Sequence, residues 1–101
     1  MTDWTFLTDH AHVLVLLARD PRGATADLAA ELGITEADVT AILADLVASG
    51  YATERSGNQH PIHVVDRTLP LRHPVEAHHS VGRLLDAVQT PSELLEERLL
   101  H

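Results

Sequence analysis

The spacing of apolar side chains predicts a set of short helices followed by a hairpin. Val13, Leu14, Leu16 and Leu17 recur at helical intervals behind Thr8, which can cap a helix, and Asp9, an acid suited to a helix's positive end. Pro21 and Gly23 in "ARDPRG" close that helix. The preceding "WTFL" is expected to cross the domain with Trp4 or Phe6 in the core. Thr25 is the expected cap of a second helix over 26–32, ended by Gly33, which supplies the positive φ of a tight turn. Thr35 and Asp38 then fit the pattern of a capping hydroxyl followed three residues later by an acid. The helix they open sets Val39, Ile42, Leu43, Leu46 and Val47 on one stripe, and Gly50 stops it. Two short helices joined by a Gly-hydrophobic-Thr turn are a helix-turn-helix signal.

The pattern changes after that. "YATER" reads as a strand, "SGNQ" as a hairpin tip and "IHVV" as the returning strand. Pro61 has no ladder donor, so the return strand lies at an edge or starts after it. A helix-turn-helix followed by a hairpin is a winged helix. "DRTLPLRHP" is expected to be extended, because Pro70, Pro74 and the residues before them oppose helix. Pro74 then opens a fourth helix over 75–87. Thr90, Pro91 and Glu93 form the sharpest local cap in the chain. The fifth helix that they open carries Leu94, Leu95, Leu99 and Leu100. The expected fold is mainly α, of the α+β class: a winged helix-turn-helix with a two-stranded wing and C-terminal helices. Residues 1–89 would form the winged domain, and 90–101 a helix that packs on it or on a twin.

Composition narrows the chemistry. A length of 101 residues suits one small domain, and a low aromatic content of 3% leaves its core to Leu, Val, Ile and Ala. The formal charge of -8 argues against a strongly basic, sequence-indifferent nucleic-acid binder. With no cysteine there is no disulfide, thiolate nucleophile or Cys-based zinc site. The longest apolar run, "AHVLVLLA", is too short to span a bilayer and no basic stretch precedes it, so a cytoplasmic protein without membrane contact is expected. No nucleophile-base pairing, phosphate-cradling Gly loop or H-E-x-x-H is present, so neither catalysis nor a cofactor is expected.

Eight histidines are many for this length. His10 and His12 lie two residues apart, on nearly opposite faces of a helix, and cannot share a metal there. Glu76 and His79 share a face but supply only two ligands, so His63 or a residue from a twin would have to complete a site. No metal is therefore expected. Solvent exposure or ordinary hydrogen bonding is the simplest role for these rings, with pH sensing as the alternative.

The segments "WTFLTDHAHVLVLLARDP", "LAAELGITEADVTAILADLVASGY" and "PLRHPVEAHH" with "VGRLL" resemble the small winged-helix regulators of actinobacteria, related to the MarR and ArsR types. The likeness runs over most of the chain. It implies a DNA-binding transcriptional regulator, often a homodimer, with helix 35–49 in the major groove of double-stranded DNA and the wing 51–65 on the backbone. The candidate DNA-binding residues are Thr35, Thr40, Arg55, Asn58 and Gln59. Arg55 would hold phosphate, Thr40 would face the groove and meet a thymine methyl, and Asn58 and Gln59 would reach the minor groove or backbone. Arg19 and Arg22 are further cations nearby in sequence, with Arg67 and Arg72 if the fold brings them round.

Family members usually carry Arg or Lys on that helix, whereas this chain has Glu36, Ala37, Asp38, Thr40 and Ala41 there. Between Ala24 and Thr53 it has no basic residue and five acids: Asp27, Glu31, Glu36, Asp38 and Asp45. Acids can still accept from cytosine N4. The departure leaves a second reading open, a winged-helix module that binds another protein in place of DNA.

Overall fold

A computed structural model describes residues 4–88. It contains four helices and a two-stranded antiparallel sheet, and the chain divides into two units between Asp66 and Arg67.

The first unit opens with α1 (Asp9–Arg19), capped by Thr8, whose hydroxyl accepts from the Ala11 N–H. α2 (Thr25–Leu32) follows, then α3 (Glu36–Ala48) and the strands β1 (Ala52–Arg55) and β2 (Ile62–Val65). Gly33 ends α2 at φ 69, left-handed, and the N–H groups of Gly33 and Ile34 both reach the Ala29 carbonyl. α3 starts on a complete capping box: the Thr35 hydroxyl accepts from the Asp38 N–H, and the Asp38 carboxylate accepts from the Thr35 N–H. The strands pair in register from Ala52 opposite Val65 to Arg55 opposite Ile62. β2 begins directly after Pro61, where the missing donor has no effect on the ladder.

α1 packs on α2, α3 and β2, while α3 packs on α2 and β1. The core of this unit is built from Val13, Leu14 and Leu17 of α1, Leu28 and Ala29 of α2, Val39, Ile42, Leu43 and Leu46 of α3, and Ala52. His63 is buried among these elements on β2.

In the second unit the chain turns at Arg67 and forms a single bridge between Pro70 and Ser80, then α4 (Val81–Ala87). Ser80 caps that helix by accepting from the Arg83 N–H. The Arg67 guanidinium donates to the Gly82 carbonyl and pairs with Asp86, so it is committed to holding α4. Val81 and Leu85 are buried. Among the described residues no helix is long and apolar enough to cross a membrane.

Four expectations are corrected. Neither Trp4 nor Phe6 is in the core: they are 64% and 91% exposed, and their rings meet edge to face at 4.9 Å. The aliphatic side chains fill the interior without them. Thr25 is not a cap but the first helical residue, because the Leu28 N–H bonds the Ala24 carbonyl and draws Thr25 into the turn. Val47 lies at the rim of the α3 stripe, 36% exposed. The fourth helix begins at Val81, not Val75. There the His73 ring accepts the Val75 N–H, and Glu76 and His79 donate to carbonyls three residues back, which makes turns rather than helix. The expected helix after Thr90 lies outside the described residues.

Leu17 is 1% exposed and Phe6 lies almost wholly in solvent. Leu17→Ala is expected to cost about 2–5 kcal/mol in urea unfolding, and Phe6→Ala less than about 0.5 kcal/mol. Equal costs would contradict an aliphatic core.

Candidate functional site

The five residues expected to meet a partner fall on two surfaces of the first unit. Thr35 and Thr40 lie on α3, and Arg55, Asn58 and Gln59 lie at the end of the hairpin; all five are exposed. Their chemistry is partly committed already. Thr35 uses an acceptor site for the capping box, and the Thr40 hydroxyl donates to the Glu36 carbonyl at 2.9 Å. What Thr40 offers outward is an acceptor lone pair and a methyl group.

The outer surface of α3 is small and flat. Ala37, Thr40, Ala41, Ala44 and Ala48 recur at helical spacing and are all exposed. The helix has three acids, of which two have internal partners. Asp38 is half of the capping box, and Asp45 takes the His10 ring nitrogen at 2.8 Å, bridging α3 to α1. Among the described residues only Glu36 of these acids has no side-chain partner. It sits in the first turn, where the helix dipole favours an anion. The His10–Asp45 pair is well exposed, so it contributes at most about 1 kcal/mol. Sequence reading missed this pair, since thirty-five residues separate its members and neither side chain is buried.

The cations gather at the other surface. The loop between α1 and α2 runs beside the hairpin, tied to it by the His63 N–H, which donates to the Pro21 carbonyl at 3.0 Å. That bond brings Arg22 to the hairpin tip. Arg22, Ser56, Gly57, Asn58, Gln59, His60 and Ile62 line a cleft of about 370 Å³. Arg55 stands on β1 immediately before the tip. Arg22 was recognisable as a nearby cation, but its place in the cleft depends on a backbone contact between residues far apart in the chain. Arg67 is engaged by Asp86 in the second unit.

The histidines go separate ways. His10 bonds to Asp45, His12 lies 3.6 Å from Asp9, and the rings of His78 and His79 meet at a tilt of 47° with their centroids 4.2 Å apart. Among the described residues no three His, Cys, Asp or Glu side chains are grouped so as to hold a metal ion. No protein-family model matches the chain, and no curated protein matches it in sequence.

Gly57 shapes the tip by close approach. A Cβ there would lie 2.3 Å from the His60 carbonyl oxygen and 3.1 Å from Ile62. The oxygen belongs to the backbone, so the loop itself would have to open. Gly57→Ala is expected to destabilise the protein by about 1–3 kcal/mol, as overpacking does, and to shift the amide resonances of Ser56 to His60. A spectrum and stability unchanged from wild type would contradict this loop geometry.

Proposed function

We propose that the first unit is a winged helix-turn-helix module that binds double-stranded DNA and acts, as a homodimer in the cytoplasm, as a transcriptional regulator. The observation that carries this reading is the order and junctions of its elements. Two helices joined by Gly33-Ile34-Thr35 run directly into an antiparallel hairpin whose tip exposes Asn58 and Gln59 beside Arg55 and Arg22. In this reading α3 enters the major groove and the hairpin lies on the backbone.

The three acids of α3 keep their charge and stand against this reading, while the rest of its exposed face is compatible with it. Asp38 and Asp45 are held by partners within the protein, and the helix presents alanines and the Thr40 methyl. Such a surface suits thymine methyl groups more than guanine, for which no Arg or Lys is offered. Affinity then comes from Arg55 and Arg22 at the phosphates.

A second reading, a winged-helix module that binds another protein, is favoured by the exposed Trp4–Phe6 pair, since aromatic side chains are enriched at such interfaces.

Selection from a randomised duplex pool over a range of salt concentrations separates the two. The DNA reading expects an enriched A·T-containing site and an affinity that falls with salt, with Arg55→Gln reducing the logarithmic salt slope by about 1. No enrichment at low salt overturns it and leaves the protein-binding module.

A further inference from the structure

We propose that the cleft between the α1–α2 loop and the hairpin tip binds a phosphate group. Its volume of about 370 Å³ is in the range of small-ligand sites and leaves room for a phosphate together with part of the body that carries it. Arg22 is the one Arg, Lys, Asp or Glu lining it. The chain holds 15 acidic residues against 7 basic ones, and the one carboxylate bound at Arg22, that of Asp20, takes its backbone N–H and not its guanidinium. Among the described residues no carboxylate pairs with the Arg22 guanidinium, whereas Arg67 has Asp86. Its fork of donors is available to an oxyanion.

The walls are held in place beforehand. The Asp20 carboxylate accepts from the Arg22 backbone N–H at 3.0 Å and the Pro21 carbonyl accepts from His63, which holds the peptide group before Arg22, while the Gly23 N–H donates to the Asp20 carbonyl and holds the one after it. Opposite it, the close contact of Gly57 with the His60 carbonyl folds the tip tightly on itself. Ser56, Asn58 and Gln59 add a hydroxyl and two amide donors. The His60 Nδ1 lies 3.1 Å from the Pro61 carbonyl, which can only accept, so Nδ1 carries a hydrogen. A guanidinium, a hydroxyl and two amides lining one cleft supply enough donors for the several oxygens of a phosphate. A preformed site of this kind loses little to ordering on binding.

This inference does not rest on the DNA reading, because the phosphate has two sources: the backbone of a duplex or a free phosphate ester. The test is amide NMR on the full chain, titrated at constant ionic strength with inorganic phosphate, ribose 5-phosphate and a short duplex. Saturable shifts at Arg22 and at Gly57 to Gln59 are expected with the first two. Arg22→Gln should lower that affinity about tenfold or more, while Arg83→Gln in the second unit leaves it unchanged. If the duplex displaces inorganic phosphate and Arg22→Gln reduces the duplex salt slope by about 1, the source is DNA. If ribose 5-phosphate saturates the cleft and the duplex does not compete, the source is a free ester. Absence of saturable shifts in the wild-type protein, or an unchanged affinity in folded Arg22→Gln, overturns the site. Failure of duplex selection with the phosphate shifts intact removes only the DNA reading.

Discussion

Burial of one stripe on α3 is the constraint from which the first unit follows. Val39, Ile42, Leu43 and Leu46 must leave water together, and the helix carrying them packs against α1, α2 and β1. No Phe, Trp or Tyr is among the buried residues of that core, so it is closed by many small aliphatic contacts, each sensitive to the loss of a few methyl groups. The capping box at Thr35 and Asp38 fixes where α3 begins, and thus which residues face inward. With the inward face committed, Ala37, Thr40, Ala41 and Ala44 have only the outside left to them. The outer face of α3 is thus a consequence of how the core is packed.

The same packing sorts the charges. Two acids on α3 have hydrogen-bond partners, Asp38 in the cap and Asp45 at His10. The Pro21–His63 backbone bond sets Arg22 against the hairpin tip. A net charge of -8 is therefore a poor description of what a partner meets there. The tip offers Arg22 and Arg55 with the neutral Asn58 and Gln59, next to the exposed acids Asp20 and Glu54. Local arrangement, and not the sum, governs binding at distances shorter than the screening length.

Elements whose signals are local were legible. α1, α3 and the hairpin are set by caps, by apolar spacing and by Pro61, all within a few residues of the structure they determine. The fourth helix was misplaced because Pro74 is a strong local start signal. The His73 ring and the Pro70–Ser80 bridge outcompete it, and Ser80 then supplies a better cap. The aromatic residues were misassigned for a different reason. Hydrophobicity says that Trp4 and Phe6 gain by burial, but whether room remains for them depends on how completely the aliphatic residues fill the core.

The sequence by itself determined the helices and strands of the first unit, the turn at Gly33, the cap at Thr35 and the identity of most of the core, because backbone dihedrals and side-chain periodicity are local properties. Only the tertiary structure decided the partner of Asp45, the exposure of Trp4 and Phe6, and the meeting of Arg22 with the hairpin tip. These depend on contacts between residues far apart in the chain, whose energies are each small and whose geometry exists only once the core has closed.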